Sequence, residues 1–117
     1  MPDQRDILGE VVGTQLSAIT FVLDYYQFQF DGPTFTVVTP VEVVSDSGRT
    51  KSGEDQFRNH ACAQIGKIVS RVTVEEERDI VVEFRDGSRL SFSLRDADRR
   101  GPEAVIYQGL QDRWNVY

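Results

Sequence analysis

The stretch Ile80-Val81-Val82-Glu83-Phe84-Arg85-Asp86-Gly87-Ser88-Arg89-Leu90-Ser91-Phe92-Ser93-Leu94 decides the fold. Ile80, Val82 and Phe84 alternate with neighbours that face the other way, and so do Leu90, Phe92 and Leu94. A period of two marks strands buried on one face, of the antiparallel kind. The buried residues on both arms carry even numbers, so the loop between them must hold an odd number of residues. Arg85-Asp86-Gly87 supplies three and puts glycine where a left-handed residue is needed. Val82 then faces Leu90, and Ile80 faces Phe92. Ile68, Val72 and Val74 predict a further strand in front of this hairpin.

Working outward, the first half of the chain repeats the theme. Tyr26, Phe28 and Phe30 alternate with Tyr25, Gln27 and Gln29; Phe35 and Val37 alternate with Thr34 and Thr36. Here the arms have opposite parity, so the loop must be even: either Gly32-Pro33 or Asp31 to Thr34. Pro33 has no N–H for a ladder and is placed in that loop. Leu16 to Leu23 forms the strand in front. Between the halves, Phe57, Ala61 and Ile65 recur every four residues and predict a helix over about 53–64. Ser52 is its expected N-cap and Gly66 its terminator. Ser45 to Lys51 reads as a mobile loop. Ala104 to Tyr107 and Arg113 to Tyr117 read as two short closing strands.

The halves resemble each other. Leu8-Gly9-Glu10-Val11-Val12 parallels Ile65-Gly66-Lys67-Ile68-Val69, and Phe30-Asp31-Gly32 parallels Phe84-Arg85-Asp86-Gly87. The expectation is a single domain over 1–117 with an approximate internal repeat, 8–44 and 65–95. The fold class is α+β, mainly antiparallel β. It consists of two similar three-stranded meanders packed as a sandwich or partly open barrel, with one central helix.

Composition restricts function. The chain has 117 residues and a net charge of −6, which argues against phosphate backbones and so against a nucleic-acid partner. No apolar run reaches membrane-spanning length, and Met1 to Asp6 lacks the apolar core of a signal peptide; a cytoplasmic protein is expected. One cysteine, Cys62, excludes an intrachain disulfide. With one histidine, His60, a structural zinc site has too few soft ligands. His60 is expected on the solvated side of the helix, away from Cys62, and Cys62 reads as a small packing residue. Glu75-Glu76-Glu77 reads as a charged hairpin tip, and Asp96 with Asp98 as a turn. Neither a metal nor another cofactor is expected, and no catalytic residues are assigned.

Two surfaces remain as candidates. Arg71, Thr73, Glu83, Arg85, Arg89, Ser91, Ser93 and Arg95 should project from the second meander, with the arginines in ion pairs. Tyr107, Trp114 and Tyr117 form an aromatic group at the chain end, and tyrosine and tryptophan favour interfaces. Tyr25 starts a strand beside Tyr26, so one of the two faces outward. Tyr25, Arg71, Arg95, Tyr107, Trp114 and Tyr117 are therefore the candidate ligand- or partner-binding residues.

Gly66-x-x-Val69, Phe84-x-Asp86-Gly87-x-x-Leu90, Pro102-Glu103-Ala104 and a closing Trp114 form a pattern over Ile65 to Tyr117. It resembles that of small uncharacterised bacterial proteins, some of them taken to be immunity partners of toxins. The resemblance implies an interaction protein and carries over no catalytic position. The first expectation is thus a non-catalytic protein-interaction or binding module, of immunity type or otherwise, with another protein or itself as partner, for example as a homodimer. The alternative is a small-molecule binding protein with a pocket between the meanders, lined by Tyr25, Tyr107 and Trp114. An enzyme would need a deep cleft with carboxylates of displaced pKa.

Overall fold

The structure, a computed structural model, describes residues 7–117; the expectation for Met1 to Asp6 lies outside them. Ten strands, numbered in chain order, form two antiparallel five-stranded sheets. The first sheet runs β1 (Leu16–Val22), β2 (Tyr25–Phe30), β3 (Thr34–Val37), β9 (Val105–Gln108) and β10 (Trp114–Val116). The second runs β6 (Val69–Glu75), β7 (Asp79–Phe84), β8 (Arg89–Ser93), β4 (Val41–Ser45) and β5 (Gly48–Lys51). A helix, α1 (Phe57–Cys62), joins the halves. The sheets are not closed into a barrel, so the α+β fold is a sandwich. No helix among the described residues is long and apolar enough to cross a membrane.

Each sheet is a meander from one half completed by a hairpin from the other. The chain leaves β3 and crosses to pair β4 with β8; it leaves β8 and crosses to pair β9 with β3. The crossings match: Val38 N donates to Ala104 O (3.0 Å), and Ser93 N to Pro40 O (3.1 Å). The starts of β1 and β6 also meet reciprocally. Gly13 N donates to Val69 O (2.9 Å) as Gly66 N donates to Leu16 O (2.8 Å), and Val69 N to Thr14 O (2.9 Å) as Leu16 N to Lys67 O (3.0 Å). Both strands then carry a bulge, at Ser17 and at Ser70. Each bulged serine hydroxyl donates to a carbonyl on the next strand, Gln29 O (2.9 Å) and Glu83 O (3.1 Å). In β1 the extra residue shifts the phase part-way along the strand, so that the inward residues run Leu16, Ile19 and Phe21. The exchange pairs β1 with β6, β2 with β7, β3 with β8, β4 with β9 and β5 with β10.

Turn parity comes out as the sequence requires. In the second hairpin Val82 faces Leu90 and Ile80 faces Phe92, and Gly87 has φ +90° in the Arg85-Asp86-Gly87 loop. The first loop is even, but it is displaced by one residue from Gly32-Pro33 and shorter than Asp31 to Thr34. Phe30 N donates to Pro33 O (2.8 Å), leaving only Asp31-Gly32 in the turn. Pro33 closes the ladder through its carbonyl, which costs nothing for want of an N–H. Gly32 has φ +108°, and a Cβ there would collide with Leu110 Cδ2 (2.6 Å).

Five expectations need correction. Ser45 to Lys51 is not a mobile loop: Gly48–Lys51 is a strand paired with β4, turning at Asp46-Ser47. Its glycine and serine read as loop, yet Thr50 points inward and is nearly buried. The helix is shorter than 53–64, because Gly53 takes φ +96° and ends any helical path there. Ser52 caps nothing; its Oγ accepts from Val41 N (3.0 Å). The helix also turns differently from the four-residue stripe. Phe57, Ala61 and Gln64 are buried while Ile65 is 41% exposed. Gln64 is satisfied there, donating to His60 O (3.1 Å) and accepting from Ser88 Oγ (2.8 Å). Cys62 is therefore exposed rather than packed.

The core lies between the sheets. Phe28 and Phe35 of the first meet Phe92 of the second at ring distances of 5.0 and 5.3 Å. Phe35 also meets Tyr107 at 4.9 Å. Helix α1 covers one open side, with Phe57 against Tyr26 (5.4 Å) and the Arg58 guanidinium over Phe21 (5.6 Å).

Candidate functional site

The expected site residues do not come together. Tyr107 is fully buried, and its hydroxyl donates to Glu10 Oε2 (2.5 Å). It is a core residue because it alternates with outward Ile106 and Gln108 on β9, opposite inward Phe35. Trp114 faces outward on the edge strand β10, 65% exposed. Tyr117 is half-buried, and its carbonyl accepts from Ala104 N (2.7 Å) and Val105 N (3.2 Å). Tyr25 begins β2 beside Val22, at the opposite end of the sheet from Trp114. A pocket between the meanders lined by Tyr25, Tyr107 and Trp114 is thus not formed: aromatic rings fill that space.

Arg71 and Arg95 lie on the other side of the molecule. Arg71 is exposed on the edge strand β6, opposite Glu83, which in turn faces Arg89. The expected ion pairing on this face is sparse; among the described residues Arg49 with Glu42 (3.8 Å) is the pair that closes across neighbouring strands. Arg95 follows β8 and lines a shallow pocket of about 300 Å³ with Glu42, Lys51, Arg78, Asp79 and Asp98. Its carboxylates are already engaged: Asp79 accepts from Ser91 Oγ (2.9 Å) and Asp98 from Ser93 Oγ (2.5 Å).

Two hydroxyl-to-base contacts have the outline of catalytic pairs. Lys67 Nζ lies 3.1 Å from Ser88 Oγ, beside a pocket of about 340 Å³. However, Lys67 Nζ is also ion-paired with Asp86 (2.7 Å), so it is already engaged within the cluster. Ser88 is buried and donates into the same cluster. Lys67 and the two bonds from Ser88 hold the Asp86 carboxyl well below the usual carboxylate range. This cluster ties the second turn to the helix end. The other contact, Thr50 Oγ1 to His60 Nδ1 (2.9 Å), joins β5 to α1. His60 is therefore half-buried and bonded, not solvated as its helical position suggested. No group of three or more His, Cys, Asp or Glu among the described residues could hold a metal ion.

The outer faces of the two sheets differ sharply in charge. Registers place their outward residues in matching rows. In the second sheet one row reads Arg71, Glu83, Arg89, Val44, Arg49. The row that corresponds in the first sheet reads Ala18, Gln29, Thr34, Gln108, Trp114. The next pair of rows sets Thr73, Val81, Ser91, Glu42 and Lys51 against Thr20, Gln27, Thr36, Ile106 and Val116. Beyond them Glu75 and Asp79 stand where Val22 and Tyr25 do. Every charged side chain of the second face is matched by an uncharged one on the first. The edges follow suit: β1 and β10 carry no charge, whereas β6 and β5 carry Arg71, Glu75, Arg49 and Lys51.

That neutrality has a physical cost that the second sheet avoids. Charged side chains on edge strands deter pairing with other chains, and a flat neutral face with bare edges invites it. The first face is amide and hydroxyl at its centre, where Gln27 Nε2 donates to Thr36 Oγ1 (3.3 Å), with apolar Ile106, Val116 and Trp114 on one flank. Of the residues singled out in the sequence, Tyr25 and Trp114 lie on this face. Thr36, Gln27 and Ile106 were not singled out, although a count of charges strand by strand would have found them. Compared with protein-family models, with curated proteins and with solved structures, the chain matches none.

Proposed function

We propose that this protein is a non-catalytic interaction module that docks a protein partner through the outer face of its first sheet. The observation that carries this reading is the replacement of every charged position of the second face by a neutral residue on the first. In a chain with 27% charged residues, a neutral five-stranded face is a surface suited to desolvation on contact. The non-catalytic part is supported by the two hydroxyl–base contacts, both of which serve as internal ties. To this proposal the resemblance to immunity proteins adds a bacterial setting and a toxin as partner, and the single cysteine adds a cytoplasmic one.

The test is capture from the source organism with wild type, Thr36→Arg and Ser91→Arg. Thr36 and Ser91 occupy equivalent central positions on the two faces. A captured protein is identified, purified and titrated against all three. Binding abolished by Thr36→Arg and kept by Ser91→Arg supports the reading. The reverse pattern, or turnover of any substrate that needs Ser88 or His60, refutes it.

A further inference from the structure

We infer that the partner of this face is a second copy of the chain, the two first sheets stacking face to face about a two-fold axis that runs along β3. The inference rests on the interaction reading above and names its partner.

Three observations carry it. The first is chemical self-complementarity. In a two-fold interface each surface meets itself, so its groups must suit their own kind. A glutamine amide and a threonine hydroxyl each donate and accept, so about this axis Thr34 and Thr36 can pair with their own copies and Gln29 with Gln108 of the other copy. The second face could not do this, because Arg89 would be brought against Arg89.

The second observation is long-range charge. Stacked through the first sheets, the two copies bring no charged strand residue against another, and their charged faces lie about 30 Å apart, three sheet spacings of roughly 10 Å and well beyond the Debye length of about 8 Å at physiological salt.

The third observation is shape. An axis along β3 keeps each row level and exchanges the sheet edges, laying β10 of one copy over β1 of the other. The row that ends in exposed Trp114 begins at Ala18, the smallest outward residue of β1. The protruding indole of each copy thus meets the shallowest place on the other. The size of the face sets the strength. Five strands about 4.8 Å apart and five residues long offer about 400 Å² per copy, less than stable dimers bury. The association is therefore expected to be weak and reversible.

Sedimentation equilibrium from micromolar to millimolar chain concentration tests this. Wild type should move from one to two copies in mass, and Ser91→Arg should do the same. Thr36→Arg places two guanidinium groups at the axis and should weaken association at least about 100-fold, leaving a monomer with unchanged far-UV circular dichroism and thermal midpoint. Ala18→Arg should act likewise by blocking the indole seat. Wild type that stays monomeric overturns the inference, as does a Thr36→Arg protein that dimerises normally. The two readings separate cleanly. A monomeric wild type that binds another protein through Thr36 refutes self-docking and keeps the docking face; a partner bound equally by Thr36→Arg refutes both.

Discussion

Removing the Glu10 carboxylate should destabilise the fold by about 3 kcal/mol, although Glu10 lies in no strand. Glu10 sits in the 3-10 turn Gly9–Val11, and its side chain is 10% exposed. One oxygen accepts from the Tyr107 hydroxyl (2.5 Å) and from Leu110 N (3.0 Å); the other accepts from Arg113 Nη2 (2.5 Å). The carboxylate thus fastens the start of the described chain to the β9–β10 connection. Hydrogen bonds to a charged acceptor contribute about 1.5–3 kcal/mol when buried, and the Tyr107 bond is the buried one. The Arg113 pair is half-exposed on its cationic side and adds well under about 1 kcal/mol. Urea unfolding of Glu10→Ala, Tyr107→Phe and the double variant measures the terms. We expect losses near 3 kcal/mol for Glu10→Ala and about 2 kcal/mol for Tyr107→Phe. The double variant should show a coupling of about 1.5 kcal/mol, since the shared bond can be lost only once. A cost for Glu10→Ala below about 0.5 kcal/mol, or additive effects, would show that the clasp contributes nothing.

The remaining predictions concern the core and the pH limits. Phe92→Ala should cost about 3–5 kcal/mol in the same urea assay, because Phe92 contacts Phe28 and Phe35 at the middle of the sandwich; a loss under 1 kcal/mol would contradict that placement. Burial first, and Glu10 second, push the Tyr107 phenol far above its ordinary value. The unfolded chain ionises this tyrosine near pH 10 while the fold does not, so its contribution is complete below that pH and falls away above it. Tyrosinate absorbance should therefore show Tyr107 titrating only as the protein unfolds in alkali, a step absent in Tyr107→Phe; ionisation within the intact fold would refute its burial. Asp86 has the opposite sign: its depressed folded pKa stabilises above the unfolded value near 4 and the benefit is lost as acid protonates it. Asp86→Asn should accordingly flatten the acid limb of the stability profile slightly, since the Lys67 pair is half-exposed; an unchanged limb would place the acid sensitivity elsewhere.

How much of this was legible in the sequence depends on what kind of information each feature carries. Parity located the three-residue loop at Arg85-Asp86-Gly87 to the residue, because facing arms share one core and parity is arithmetic. In the first hairpin parity gave an even loop but not its bounds, since it does not reveal that Pro33 can close a ladder through its carbonyl. Strands β4 and β5 were half-hidden: Ser45 to Lys51 is loop-like in composition, and it becomes sheet by pairing with β4, which is itself held by β8 some fifty residues further on. The helix phase was misjudged because buried Gln64 is polar and exposed Ile65 is apolar, the reverse of what hydrophobic periodicity assumes. Tyr107 read as surface because its role as a core residue depends on the crossing of β9 into the first sheet. The neutral face was present in the sequence all along as uncharged strands, with Asp24 and Asp31 confined to the turns. It became a candidate site only when the crossings put β3 and β9 side by side.

Trp114 is the sole tryptophan, and it stands exposed on the neutral face. Its fluorescence therefore reports whether that face is the docking surface. Across the concentration range in which mass doubles, the account predicts an emission shift to shorter wavelength and a loss of acrylamide quenching, both absent in Thr36→Arg. An indole that stays fully solvated and quenchable while the protein associates would contradict the account, because the contact would then lie elsewhere.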